Sequence, residues 1–294
     1  MRTELKDISS KIEPHIVEAI KLIDEYARGA DIPFFLVGAG ARDLIFAAIF
    51  DIPTLRGTLD IDFAVRVKDW NQYEVLISAM RLSGNVQPDA KRAHRFIHKN
   101  GTLIDIIPFG DLESPKGAIA WPPTGETIMS TVGFGEAFNS AEVVRIAQNP
   151  ACDVKVCTPA GLTIMKLISW DQAYPVRSDD AKDIHFILTK YVDAGNEERL
   201  YGSDKDIVES PDFDFSMASP RLLGRDMALI ANEKTVKAVS RILDEETRED
   251  SQLRLAHQML GTTLDTEGDL DGNLALLCQL LQGLSEGIAR KSQI

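Results

Sequence analysis

Cysteine is scarce in this chain: Cys152, Cys157 and Cys278 are the only three in 294 residues. An odd count without clustered partners excludes a disulfide framework and a zinc knuckle, and it predicts reduced thiols. Long apolar runs are missing as well. Lys, Asp or Arg interrupts every candidate for a membrane span, so no membrane partner is expected. The opening residues, Met-Arg-Thr-Glu-Leu-Lys-Asp, lack the apolar stretch of a secretory signal, and a cytoplasmic location is expected. Basic charge is short too. Lys and Arg number 32 against 45 Asp and Glu, a formal net charge of −13, which argues against a general nucleic-acid coat. One small basic site remains compatible with that balance. No internal repeat is visible.

What is present is an ordinary globular composition, 44% apolar and 26% charged, long enough for one large domain or two ordinary ones. The most telling stretch is Gly-Thr-Leu-Asp-Ile-Asp-Phe-Ala-Val at 57–65. Asp60 and Asp62 alternate with apolar residues, so a strand would point both carboxylates to one face. Four oxygens aimed at one place suit a hard divalent ion and a phosphate bound to it. Alone, such a pair better describes solvated acids at a strand end. Two neighbours shift the balance. Upstream, Phe-Leu-Val-Gly-Ala-Gly-Ala-Arg-Asp-Leu at 35–44 reads as a strand, a Gly-rich turn and a helix start, which offer backbone N–H groups to an anion. Downstream, Leu-Ile-Asp-Ile-Ile-Pro-Phe-Gly at 103–110 brings a third acid on a strand, Asp105. Three converging acids suit in-line displacement at phosphorus between two metal ions.

Helices are expected over 13–29, 41–50 and 70–82, and strands over 33–37 and 59–66. Asn100-Gly101 between strand-like runs predicts a two-residue turn, which pairs Phe96 with Asp105 and His98 with Leu103. Residues 111–127 read as loop, and 142–147 and 153–157 as strands. From Thr158-Pro159, a cap followed by a first-turn proline, the pattern turns helical. Helices follow over 178–191, 219–230, 233–246, 250–261 and 273–288. The division into domains is placed at 1–157 and 158–294.

Two charged groups stay ambiguous. Lys166, Asp171, Arg177, Asp180, Lys182 and Asp183 lie on two successive helices. The lysines could converge on a triphosphate, or the group could be ordinary ion pairing between antiparallel helices. Lys91, Arg92, His94, Arg95, His98 and Lys99 form the one dense basic patch, which either binds phosphate or is a solvated face.

The order of these motifs resembles the DNA polymerase β-like nucleotidyltransferase superfamily. More narrowly, the chain resembles the AbiEii-type nucleotidyltransferases, toxin halves of some abortive-infection and toxin–antitoxin pairs. The matching stretches are 36–43, 56–63, 104–110, Ala-Trp-Pro-Pro at 120–123, 158–170 and Arg-Ser-Asp-Asp-Ala-Lys-Asp-Ile at 177–184. Together they span residues 30–192. The resemblance implies an α+β fold: a nucleotidyltransferase core with a small mixed sheet flanked by helices, then a helical C-terminal domain completing the nucleotide and acceptor cleft. It implies transfer of a nucleoside monophosphate from an NTP, with Mg²⁺ or Mn²⁺, to an acceptor hydroxyl on RNA, such as a tRNA 3′ end, or on protein. A cognate antitoxin is the further partner implied. Asp60, Asp62 and Asp105 would be the catalytic, metal-binding acids. Gly38, Ala39, Gly40, Arg42, Thr58, Lys166, Lys182 and Asp183 would hold the nucleotide, and Arg92, Arg95 and His98 the acceptor. The turn departs from the usual Gly-Gly or Gly-Ser, so phosphate would rely on backbone N–H groups. The alternatives are a tRNA-maturing CCA-adding or poly(A)-type polymerase, and a nucleotide-binding module without catalysis.

Overall fold

The computed structural model describes residues 5–54, 60–210, 213–260 and 269–293. Its contacts divide the chain into two compact units, Met1–Thr158 and Pro159–Ile294.

The first unit is built on one mixed sheet. Its strands in chain order are β1 (Lys6–Asp7), β2 (Phe34–Val37), β3 (Asp60–Val67), β4 (Val86–Pro88), β5 (Arg95–His98) and β6 (Leu103–Gly110). A separate short pair follows, β7 (Ala118–Ala120) and β8 (Ile128–Ser130), and then β9 (Glu142–Gln148) and β10 (Ala151–Val156) return to the main sheet. The spatial order is β1-β9-β10-β2-β3-β6-β5-β4. The expected small sheet is therefore a large one, of eight strands among the described residues. The difference lies in β1 and β4, of two and three residues, which are too short to carry a periodicity and exist through their partners. The β7–β8 pair falls partly in the segment expected to be loop. Pro88 sits in edge strand β4, where a missing N–H costs no ladder bond.

Helices α1 (Pro14–Gly29), α2 (Gly38–Asp43), α3 (Trp70–Leu82) and α4 (Phe134–Ser140) complete the unit. Strand alternation sorts the two sheet faces. Ile61, Phe63, Val65 and Val67 are buried on one. The Tyr73 hydroxyl of α3 donates to the Ile106 carbonyl at 3.1 Å, and the Arg81 guanidinium of α3 stacks 5.8 Å from the Phe96 ring. On the other face Phe35, Phe109 and Phe138 meet with ring centroids 5.6–5.8 Å apart, so α4 covers that end. Asp60 and Asp62 lie at the opposite end of this second face.

The helix expected over 41–50 begins earlier, at Gly38, and widens into a π-helical turn over Leu44–Ile49, with Phe50 N donating to Ile45 O at 3.3 Å. The hairpin also differs. His98 N donates to Thr102 O at 2.8 Å, and Gly101 N to His98 O at 2.8 Å, leaving three residues in the loop. Gly101 has φ +91°, the left-handed conformation that ends a three-residue hairpin loop with a bulge. The register is therefore Arg95↔Asp105, Phe96↔Ile104 and Ile97↔Leu103, one residue away from expectation. A one-residue slip exchanges the faces of a strand.

The second unit contains only helices among the described residues: α5 (Pro159–Ala173), α6 (Ser178–Lys190), a 3₁₀ turn at Glu197–Tyr201, α7 (Phe215–Ile230), α8 (Glu233–Thr247), α9 (Arg254–Met259) and α10 (Leu270–Lys291). Helix α7 starts four residues before Ser219, because Asp214 caps it by accepting from Ser216 N at 2.9 Å, and Pro220 lies inside. A buried ion network ties this unit together. Arg225 donates to Asp204 at 3.0 Å, Asp206 at 2.6 Å and Glu286 at 2.7 Å, and Arg290 reaches Asp204 at 2.8 Å.

Candidate functional site

Strand β3 places Asp60 and Asp62 on one face by simple alternation. Strand β6 runs parallel beside it, with Asp62 directly opposite Asp105. All three carboxylates therefore face the same side. Strand β5 is antiparallel to β6 and sets Arg95 opposite Asp105. The Arg95 guanidinium grips Asp105 with two parallel bonds, Nε to Oδ1 and Nη2 to Oδ2, both 2.7 Å. The same Nη2 donates to Asp60 Oδ2 at 2.7 Å. The repulsion between Asp60 and Asp105 is thus relieved by a shared cation. The Asp105 bond holds the Arg95 guanidinium's pKa well above its usual value; burial works against this, and the Asp105 and Asp60 charges add to it. Asp105 is buried, whereas the Asp60 side chain is 33% exposed.

His94 stands beside the cluster, Nε2 3.8 Å from Asp105 Oδ2, with its ring 5.6 Å from that of Trp121. Among the described residues, no three His, Cys, Asp or Glu side chains are gathered so as to hold a metal ion. Asp60 and Asp105 are held by a shared guanidinium instead. Their donor type, carboxylate oxygen throughout, still suits Mg²⁺ or Mn²⁺.

Gly38 closes the site from the side of β2. Its φ is +68°, and a Cβ there would lie 2.0 Å from Asp62 Oδ2. Both the backbone conformation and the nearness of Asp62 require glycine. Its neighbours are less directly placed. Arg42 is buried and donates to Asp43 Oδ1 at 2.6 Å. Gly40 lines a cavity of about 480 Å³ together with Thr102 and with Ile61, whose position on β3 belongs to the sheet face away from the acids. Ala39 lies between them in α2, half-buried. Thr58 lies outside the described residues.

The basic patch is not one face. The slipped register turns Arg95 into the acid cluster and His98 to the other side, where it is buried. Lys99 Nζ donates to Asn85 at 2.9 Å, and Lys91 and Arg92 remain exposed. The sequence left Arg95 between a phosphate contact and a solvated face, whereas its partners in the structure are carboxylates. The overlooked signal was Gly101, since a loop of three residues ending in a left-handed glycine competes with the two-residue turn.

In the second unit, Lys166 is buried between α5 and α6, with Nζ 2.7 Å from Asp183 and 3.0 Å from Asp180. Burial, the largest influence, opposes its charge; Asp180 and Asp183 outweigh it and raise the Lys166 pKa. Burial likewise pushes the Asp180 carboxyl up, but Lys166 and Arg177 bring it below its ordinary value. Lys182 is part-exposed and meets Asp179 at 3.1 Å. Asp171 is engaged by Arg241. This is ion pairing within the helical unit, with Lys166 fully committed to two carboxylates.

No family model matches the chain, and no curated protein does. Several solved structures align with it. The antibiotic-resistance factor ANT(2'')-Ia, in solution, shares 13% identity at a TM-score of 0.35, covering 67% of this chain and 97% of that one. A nucleotidyltransferase-like protein from Paracoccidioides brasiliensis shares 14% at 0.38, covering 69% and 91%. The Thermotoga maritima CCA-adding enzyme, complexed with tRNA, shares 12% at 0.31, covering 98% and 85%. Likeness this slight decides neither fold nor activity.

Proposed function

We propose that the chain is a metal-dependent nucleotidyltransferase of the polymerase β-like superfamily, moving a nucleoside monophosphate from an NTP to an acceptor hydroxyl and releasing pyrophosphate. One observation carries this reading: Asp60, Asp62 and Asp105 share a sheet face, with Asp62 and Asp105 opposite each other on parallel strands. A fold without ionic chemistry has no physical need to bring three acids together. Bound divalent ions would neutralise the triphosphate and stabilise the charge developing in an in-line displacement.

Each residue has a part. Asp60, Asp62 and Asp105 would hold the ions between them. Asp105, the most buried of the three, helps take the proton from the attacking hydroxyl. Gly38 keeps the space beside Asp62 clear of any side chain. Phosphate contacts there fall to backbone N–H groups, since neither Ala39 nor Gly40 offers a hydroxyl. Lys166 and Asp183 support this function by fixing α5 on α6. The finer reading, an AbiEii-type toxin with a cognate antitoxin, rests on the motif resemblance. With Arg95 and His98 turned away from the patch, an RNA acceptor has less to hold it, and a protein acceptor gains.

The test is incubation with each labelled NTP, Mg²⁺ or Mn²⁺, total RNA and total protein. Label in RNA or protein, lost in Asp62→Ala, is the expected result. C and A added to tRNA 3′ ends would support the CCA-adding alternative. NTP binding without transfer would leave a nucleotide-binding module. Full activity of Asp62→Ala would overturn the reading.

A further inference from the structure

Arg95 occupies an unusual place. One nitrogen, Nη2, touches an oxygen of Asp60 and an oxygen of Asp105, each at 2.7 Å. A cation shared by those two carboxylates has to lie where that nitrogen lies. Resting on the proposed function above, we propose that Arg95 is a latch: its guanidinium fills the cation position between Asp60 and Asp105 and must be displaced when a divalent ion binds.

The contacts are of unequal strength, which makes displacement feasible. The hold on Asp105 is bidentate, and that acid is buried. The hold on Asp60 is a single N–H to a carboxylate that is 33% exposed. Water can replace that contact at little cost, whereas the bidentate grip is the main barrier. The sheet does not need Arg95 as a staple, because β5 and β6 are already joined by their ladder, including Phe96↔Ile104 and Ile97↔Leu103.

The consequence is a lowered apparent affinity. A site whose competent form is only a fraction of the population binds more weakly by that fraction. The latch keeps the acids gathered and partly neutral without ions, and it makes ion binding compete with a side chain tethered on the neighbouring strand. Arg95 is thus a positioning residue, acting through Asp60 and Asp105.

The experiment measures Mn²⁺ binding by calorimetry, without NTP and with a non-hydrolysable NTP, for the wild type, Arg95→Met and Arg95→Lys. Arg95→Met should bind Mn²⁺ more tightly by about tenfold or more, since bonds to charged groups are lost from the competing state. Its melting temperature without ions should fall, because two acids lose their shared partner. Arg95→Lys keeps the charge and the fold but cannot make the bidentate grip, so its affinity should lie between the other two. Equal affinity for Arg95→Lys and the wild type would reduce the effect to charge alone and overturn the latch. Unchanged or weaker binding by Arg95→Met would overturn it as well. In both cases, the wild type's own Mn²⁺ binding leaves the transferase reading standing. If all three proteins fail to bind Mn²⁺ even with NTP, the transferase reading fails and the latch with it.

Discussion

Replacing Lys166 by methionine removes a charge while keeping most of the apolar stem that α5 buries. Asp180 and Asp183 then lose the ammonium that sits 3.0 and 2.7 Å from them. Removing one partner of a buried pair costs about 3–5 kcal/mol, because the remaining charge stays desolvated. Arg177 still reaches Asp180, which favours the lower part of that range. For a unit of this size the melting temperature should fall by roughly 10 °C.

The pH dependence supplies the sign. The Asp180 carboxyl is held below its ordinary 3.8, so its contribution is present above that value and is lost as pH falls through the folded value. Lys166 is held above 10.5, so its contribution is present below that value and is lost as pH rises through the folded one. The deficit of Lys166→Met should therefore be full near neutral pH and shrink as pH falls through the folded value of Asp180. Calorimetric melts at about pH 3, 5 and 7 measure it. Adding Asp180→Asn and Asp183→Asn to Lys166→Met should restore most of the loss. A melting change of less than about 2 °C at neutral pH, together with weakened NTP binding, would refute the reasoning and return Lys166 to the triphosphate.

Three further outcomes are expected. Asp62→Asn should lower label transfer by at least about a hundredfold while circular dichroism stays unchanged; retained transfer would remove Asp62 from the chemistry. Gly38→Ala should cost about 1–2 kcal/mol for its left-handed backbone and also push the Asp62 carboxylate aside, so stability and transfer should fall together in urea melts and label assays. The Asp206 carboxyl is held at about 2, chiefly by Arg225 and then Arg290, so its share of stability is present above 3.8 and is lost as pH falls toward about 2; Asp206→Asn should flatten that part of an acid-unfolding curve.

The shared face of Asp60 and Asp62 was legible because a strand has a period of two, and four alternating residues suffice to show it. Asp105 was legible as strand-borne, yet its alignment with Asp62 was not, since parallel register depends on the crossover and not on either strand alone. Arg95 was misplaced for a sharper reason. One residue of loop length decides which face it joins, and Asn100-Gly101 serves both a two-residue and a three-residue turn. Lys166 was legible as one of a charged group on two successive helices, but its choice between ligand and carboxylates belongs to tertiary packing. The start of α7 was obscured by Ser219-Pro220, which imitates a helix beginning inside a helix that Asp214 had already opened. Strands β1 and β4 left no local trace at all.

Sheet order also bears on how the chain is made. Leu36 pairs with Val156, and Cys157 N donates to Leu36 O at 2.9 Å. During synthesis, β2 therefore emerges long before β10, the strand that covers its second edge. A nascent chain ending near β6 already holds β2, β3 and β6, and with them all three acids, but it exposes a row of unpaired N–H and C=O groups along Phe34–Val37. Such an apolar open edge is a template for pairing with another chain. Ribosome-bound intermediates stopped before β9 should be the stage that most needs a chaperone, and acid-cluster geometry can form before the sheet that protects it is closed.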